Sequence, residues 1–152
     1  MFQTLTRQKV LKAFDYLSSR DVEGLLRGCS ETIHHEFAGN HALGGVRNSK
    51  KAFGLWLERL FLLFPHLTFE PHSVFIHGPP WNMRVCVTWT DRGITADGED
   101  YENTGVHELR IRRGKVHSLK AHLDTQHLAA VLQRMAAKGV AEADAQPIEE
   151  GP

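Results

Sequence analysis

The sequence predicts an α+β protein in which three helices cover the concave face of a curved antiparallel sheet. Residues 1–65 are dominated by apolar side chains at helical spacing, whereas residues 67–123 alternate between apolar and polar side chains. Helices and strands that are segregated in this way pack as separate layers. A strongly curved sheet closed by helices encloses a conical cavity, and pockets commonly form in such a mouth.

The size and charge of the chain narrow the classes of partner. The 152 residues fit one domain, and 41% of them are hydrophobic, which is enough for a real core. The 18 basic residues balance the 18 acidic ones, so no overall field favours nucleic acid or an anionic membrane. The sequence shows neither a membrane-spanning apolar run nor the apolar core of a signal peptide. We therefore expect a cytoplasmic protein with no nucleic-acid or membrane partner.

The helical patterns have clear boundaries. They cover residues 5–18, 22–29, 50–64 and 125–137. Asp21 is placed to cap the second helix, Asn48 or Ser49 can cap the third, and Pro65 ends the third. The capping residues accept hydrogen bonds from free amides of the first turn, and Pro65 cannot continue the helix. These residues therefore indicate where the helices begin and end.

Strand patterns occupy most of the remaining chain. They cover residues 33–37, 67–77, 83–91, 103–112 and 115–123. Arg113 and Gly114 form a tight turn between the last two strands, and residues 38–45 form a glycine-rich loop. From Gly139 the chain is rich in Ala, Glu and Pro without apolar periodicity. We expect a domain over residues 1–138 followed by a disordered acidic tail over residues 139–152.

Four stretches together resemble the nuclear transport factor 2-like superfamily, in its SnoaL-like and ketosteroid isomerase-like branch. They are LSSRDVEGLLRGCSETI at 17–33, GNHALGG at 39–45, FP at 64–65 and GKVHSLKAHLDTQHLAAVL at 114–132. The resemblance covers about residues 5–135. It implies a cystatin-like, cone-shaped α+β barrel with a mostly apolar pocket, assembled as a homodimer through the outer sheet face. The functions that it implies range from isomerases, polyketide cyclases, epoxide hydrolases and dehydratases to non-catalytic binding domains.

Asp91 is the first candidate catalytic residue. It shares one strand face with four apolar residues: Met83, Val85, Val87 and Trp89. A carboxylate on an apolar wall has a raised pKa, which suits general acid or base chemistry. Resemblance to the limonene epoxide hydrolase branch also implies a catalytic carboxylate near this place. The alternative is a strand-end aspartate that pairs with Arg92 or a loop amide.

His107 is the second candidate catalytic residue. It shares a strand face with Leu109 and Ile111 and should therefore point inward. There it could hold a ligand carbonyl or relay a proton with Asp91. The alternative is a core histidine whose hydrogen bonds are satisfied within the protein.

The remaining candidates are expected to bind a ligand rather than to react with it. They are Trp89, His35, His41, Asn103, Trp56, Phe53, Tyr16 and Asp124. Core packing is the alternative for the aromatic side chains and for His35, and simple exposure on a loop is the alternative for His41. Polyketide cyclase-like members imply a catalytic aspartate near Asp124. The same position suits the N-cap of the last helix, which we favour.

Metal and cysteine chemistry are not favoured. Cys29 and Cys86 lack the spacing of a zinc site or a redox pair, and both are expected to be buried free thiols. His122, Asp124 and His127 could converge at a strand–helix junction, but no recognised metal spacing supports this. We expect neither a metal nor another cofactor.

Departures from the resembled enzymes argue against their known activities. The steroid isomerase tyrosine falls at Ala13, and the base falls near Glu36 or Phe37. The epoxide hydrolase arginine falls at Trp89, and its second aspartate falls at Ala121. Two hypotheses remain. The first is an acid/base isomerase, cyclase or dehydratase that acts on a small apolar, oxygen-bearing molecule. The second is a non-catalytic dimeric protein that binds such a molecule.

Overall fold

A computed structural model describes residues 1–149 as four α-helices, six strands and a short 3₁₀ helix. The helices are α1 (Phe2–Ser19), α2 (Val22–Arg27), α3 (Lys50–Leu63) and α4 (Thr125–Ala137). The strands are β1 (Cys29–Phe37), β2 (Gly45–Arg47), β3 (Thr68–His77), β4 (Asn82–Ile94), β5 (Asp100–Arg112) and β6 (Lys115–Leu123). The predicted α+β class is confirmed, and the 3₁₀ helix Ala141–Asp144 follows α4.

All six strands form one mixed sheet in the order β2-β1-β6-β5-β4-β3. Strands β3 to β6 form the predicted antiparallel meander, but β1 pairs in parallel with β6, with His35 opposite Leu119. The fully antiparallel sheet is therefore wrong at this pair, because a period of two shows faces and not strand direction. The edge strands β2 and β3 do not pair with each other within residues 1–149. The predicted barrel is thus a curved, open sheet.

Strand β2 lies where the sequence predicts only the end of a loop. Its three residues pair antiparallel with β1, Arg47 opposite His35. Three residues are too few to show an alternating pattern, so the strand had no sequence signal of its own.

The core has two parts, one on each side of the cone. Helices α3 and α4 pack against β1 and β6 around Leu57, Leu60 and Met135. Helix α1 contributes Val10 and Phe14 to a second cluster with the apolar side chains of β4 and β5. Side chains of Asp21, Ser49 and Asp124 cap α2, α3 and α4. The capping residues proposed from the sequence therefore fix where these helices begin.

The segment after α4 is packed over its described part. Ala143 is buried in the core cluster, and Ile148 accepts a hydrogen bond from Arg47 Nε at 2.8 Å. Arg59 contacts Glu142 at 2.6 Å and the Gln146 carbonyl at 2.7 Å. The predicted disorder is therefore wrong for residues 139–149, because cations far away in the chain hold this segment. Residues 150–152, also predicted to be disordered, lie outside the described residues.

Two further properties follow from the described residues. Cys29 is buried and Cys86 is half-buried, and both are free, so the prediction of burial is wrong for Cys86, which faces outward from β4. Across residues 1–149, no helix combines the length and the apolar character needed to cross a membrane.

Candidate functional site

A cavity of about 700 Å³ lies between α1, α2, α3 and the concave sheet face. This volume suits one small organic molecule. Its wall is mostly apolar, with few polar groups deep inside. The principal ones are His35, Asp91, Tyr101 and His107. A pocket of this kind obtains its specificity from such isolated polar groups.

Asp91 lies on the inner face of β4 and is 4% exposed. Burial raises the pKa of its carboxyl to about 7, and the backbone N–H of Asn103 offsets part of that effect. The Oδ1 atom has no hydrogen-bond partner among the described residues. Arg92 turns outward and contacts Glu70 and Glu102, each at 2.9 Å. The alternative pairing of Asp91 with Arg92 is therefore wrong, since adjacent strand residues point to opposite faces.

His107 points inward and is packed among three aromatic rings. The ring centroids of Trp89, Phe14 and Phe69 lie 5.3, 5.5 and 6.5 Å away. Burial lowers the pKa of His107 to about 4, so the ring is neutral near pH 7. Its Nδ1 atom has no hydrogen-bond partner in the described chain.

The sheet register separates His107 from Asp91. His107 lies opposite Val87, whereas Asp91 lies opposite Asn103, four positions away on β5. At ~3.3 Å per residue this is roughly 13 Å along the strand, with Trp89 between them. The relay of a proton between Asp91 and His107 is therefore wrong, because the two side chains are out of hydrogen-bond reach.

Trp89 depends on the glycine opposite it. A Cβ on Gly105 would approach Trp89 Cζ2 to 2.5 Å and the His122 carbonyl oxygen to 2.6 Å. Both distances are shorter than real Cβ contacts. The indole thus lies over Gly105, with its Nε1 buried and unpaired within residues 1–149.

Gly105→Ala is expected to lower the free energy of unfolding by about 1–3 kcal/mol, since Trp89 must move in a packed wall. Denaturant unfolding followed by tryptophan fluorescence measures both the stability and the environment of the indole. Gly28→Ala is the control, because its Cβ would lie 3.5 Å from the nearest atom. Equal stability of the two variants would contradict this role of Gly105.

His35 is 1% exposed and lies between the Phe53 and Trp56 rings. Arg47 Nη1 lies 3.0 Å from His35 Nδ1. A guanidinium has only donors, so Nδ1 accepts and the proton of the neutral ring is on Nε2. Burial, and then the charge of Arg47, hold the pKa of His35 well below its ordinary value. His35 therefore brings a neutral N–H donor to the cavity wall.

Tyr101 is a cavity residue that the sequence analysis missed. It is 5% exposed, and its hydroxyl accepts a hydrogen bond from Asn103 Nδ2 at 3.1 Å. The hydroxyl proton is then left to donate. Burial, followed by the charge of Asp91, raises the pKa of Tyr101. The signal was present, because Tyr101 has the same strand parity as Asn103 and His107, but the predicted strand began two residues too late.

Three candidate ligand-binding residues do not line the cavity. Asn103 uses its amide on the Tyr101 hydroxyl and on the Asp124 carbonyl, at 3.1 and 3.2 Å. Asp124 caps α4 by accepting from His127 N at 3.0 Å, which is the role favoured from the sequence. His41 packs on Phe37, with ring centroids 6.0 Å apart, outside the main cavity. Asn103 and Asp124 are used within the local structure, whereas His41 lies outside the cavity with its Nε2 atom unpaired among the described residues.

The other aromatic candidates form the cavity wall. Phe53, Trp56 and Tyr16 all line it. Trp56 Nε1 donates to the Leu43 carbonyl at 2.8 Å, so this indole offers a ligand only its apolar surface.

The metal cluster considered from the sequence, His122 with Asp124 and His127, is not assembled in the structure. His122 contacts Glu108 at 3.2 Å on the outer face of the sheet. Within residues 1–149, no three His, Cys, Asp or Glu side chains lie together in a way that could hold a metal ion.

A curved open sheet that holds an apolar cavity against three helices defines the nuclear transport factor 2-like class of proteins. The sequence profile described as the SnoaL-like domain matches residues 10–119, and the chain belongs to this family. A comparison with curated proteins finds no match.

Solved structures share the fold at low sequence identity. A nuclear transport factor 2-like protein of unknown function from Burkholderia pseudomallei is 18% identical, with a TM-score of 0.74 over 82% of this chain and 95% of that one. TerC, co-crystallised with polyporic acid, is 21% identical, with a TM-score of 0.72 over 83% and 96%. A putative polyketide cyclase from Xanthomonas campestris is 14% identical, with a TM-score of 0.64 over 86% and 98%. At these identities the likeness shows the fold alone.

Proposed function

We propose that the protein binds a small apolar molecule that bears a carbonyl or another oxygen, and that it moves a proton to or from a carbon of that molecule. Asp91 is the acid/base group in this proposal. The observation that supports it is the unpaired Oδ1 of Asp91, buried in the wall of the 700 Å³ cavity. With a pKa of about 7, both protonation states of this carboxyl are present near neutral pH.

Unpaired polar atoms on the same wall support a bound oxygen. Trp89 Nε1 and His107 Nδ1 are buried without partners in the described chain, like Asp91 Oδ1. Such atoms are rare in folded proteins, and each costs free energy until a partner satisfies it. The N–H groups of His35 and Trp89 and the hydroxyl of Tyr101 are the donors that would hold an oxygen as charge develops on it.

The similar structures support a small-molecule ligand. TerC was crystallised with polyporic acid, and the Xanthomonas protein is described as a putative polyketide cyclase. Isomerisation, cyclisation and dehydration all require proton transfer next to an oxygen-bearing carbon, so Asp91 would serve any of these reactions. The proposal includes a homodimer formed through the outer sheet face.

Native mass spectrometry of gently purified protein is the first test. It reports the dimer and the mass of any molecule that is retained. That molecule is then incubated with the protein in deuterated buffer, and deuterium uptake at carbon is followed by NMR.

Asp91→Asn should retain the molecule but reduce the rate of deuterium exchange by roughly 10²- to 10⁴-fold, the usual contribution of a positioned acid or base. Tyr101→Phe is the comparison variant, because it removes one of the proposed oxygen-binding donors and leaves Asp91 in place. Exchange by Asp91→Asn at the wild-type rate would exclude Asp91 as the proton carrier. Tight binding without exchange in either protein would favour the second candidate, a non-catalytic binding protein with the same pocket.

A further inference from the structure

The open end of the cavity is lined by cations. It is formed by exposed positions of α1, the end of α2 and the turn between β5 and β6. The basic residues that line it are Lys9, Lys12, Arg27, Arg113 and Lys115, all of them exposed. We call these five residues the basic rim. The whole chain has no formal net charge, so this excess of positive charge is a local property of the cavity opening.

Carboxylates do not balance the basic rim within residues 1–149. Asp91 is the single acidic residue of that range that lines the cavity, and it lies on the inner wall. Arg27 contacts Glu23 at 3.7 Å, a distance too long for a tight pair, and both side chains are largely exposed. The described chain shows no ion pair for Lys9, Lys12 or Arg113. The rim thus presents positive charge to a molecule that enters.

Beneath this rim the cavity is apolar. Leu17, Leu25 and Leu119 line it. A neutral apolar ligand would use the inner wall and gain nothing from the rim. A molecule with an acidic group at one end would bury its apolar body in the cavity and keep the acidic group at the rim, beside the cations. Both charges stay partly hydrated there, so the free energy of desolvation is small.

We propose that the natural ligand is an apolar anion, a molecule with a carboxylate, sulfonate or phosphate at one end. Its acidic group lies at the basic rim, and its body extends toward Asp91. This inference rests on the proposed function, because it assigns the class of molecule that the same cavity binds.

Two fluorescent probes test the charge alone. 1-Anilinonaphthalene-8-sulfonate and N-phenyl-1-naphthylamine share one aromatic skeleton and differ in the sulfonate. Wild-type protein should bind the sulfonate more tightly than the neutral probe, and each should displace the other from one site. Raising NaCl from about 20 mM to about 500 mM should weaken the sulfonate and not the neutral probe, because salt screens exposed charges.

Lys9→Gln combined with Lys12→Gln should weaken the sulfonate roughly threefold to tenfold and leave the neutral probe within about twofold, as expected for exposed charges. The control combines Lys51→Gln with Lys138→Gln, which removes the same charge from exposed positions outside the cavity. The control should bind both probes as wild type does.

The outcomes separate this inference from the proposed function. If the neutral probe binds and the sulfonate gains nothing from Lys9 and Lys12, the inference is wrong and the cavity proposal stands. If both probes bind without competing, the sulfonate occupies another surface and the inference is again wrong. If neither probe binds, both proposals fail together.

Discussion

Asp91→Asn is expected to raise the free energy of unfolding by about 3 kcal/mol at pH 8 and to leave it nearly unchanged at pH 4. The reason is the burial of an ionisable carboxyl without a cation to balance it. Burial raises the pKa of Asp91 from 3.8 to about 7, so ionisation is unfavourable in the folded state. Asparagine has nearly the same shape and cannot ionise.

The sign of the pH dependence follows from proton uptake. Between pH 3.8 and pH 7 the folded protein holds a proton on Asp91 that the unfolded chain has released. The contribution of Asp91 to stability therefore falls as the pH rises through this window, and it levels off above it. Its full size, at ~1.4 kcal/mol per pKa unit, is an upper limit, since solvent and neighbouring dipoles relax around the charge.

Urea unfolding of both proteins between pH 4 and pH 8 measures this effect as a difference. The difference between the two proteins is needed because His35 and His107, whose pKa values are lowered, make both proteins less stable as the pH falls below 6.5. That trend is opposite to the effect of Asp91, and it cancels in the difference. The exposed Asp15 provides the control variant Asp15→Asn. A stability difference between Asp91→Asn and wild type that does not change with pH would show that Asp91 ionises freely.

Such a gain in stability, together with a loss of proton transfer, would identify a functional site. Evolution retains a destabilising buried group where the reaction needs it. If Asp91 had a purely structural role, its substitution would instead lower the free energy of unfolding, because its hydrogen bonds would be broken.

Arg47→Met is expected to lower the free energy of unfolding by about 3 kcal/mol or more, because it leaves several buried acceptors unpaired. Arg47 is completely buried and donates to His35 Nδ1, the Gly44 carbonyl and the Ile148 carbonyl at 3.0, 2.7 and 2.8 Å. Burial lowers the pKa of its guanidinium to about 10, which leaves it charged at neutral pH.

Arg92→Met is the matched control for this variant. Arg92 also contacts two groups at 2.9 Å, the carboxylates of Glu70 and Glu102, but it is exposed. Exposed ion pairs contribute little because water screens them, so this control should leave the free energy of unfolding nearly unchanged. Chemical denaturation measures both variants, and equal losses would contradict the role assigned to the burial of Arg47.

Hydrogen exchange adds a local measurement to the same comparison. In Arg47→Met, amides near Ile148 should exchange faster, because the hydrogen bond that holds this segment is gone. The His35 ring should also lose its fixed tautomer, which the ¹⁵N shifts of the imidazole report. Unchanged exchange near Ile148 would mean that Arg59 alone holds the segment.

Much of the site could be predicted from period and parity. The alternation of β4 placed Asp91 and Trp89 on the inner face, and that of β5 placed His107 there, since a strand side chain has only two faces to occupy. The cap role of Asp124 was also predictable, because an aspartate directly before a helical pattern satisfies free amides. Tyr101 was missed because the predicted strand began after it, although its parity with His107 was readable.

The sequence by itself determined the class of fold, the inner and outer faces of the long strands and the capped starts of α2, α3 and α4. All of these depend on interactions between residues close together in the chain. Tertiary structure decided the parallel pairing of β1 with β6, the separation of Asp91 from His107 and the packing of residues 139–149. Arg47 illustrates the reason, since it joins His35 to Ile148, 12 and 101 positions away. No local pattern encodes contacts of that length, because they exist only once the sheet has formed and the buried guanidinium has found its acceptors.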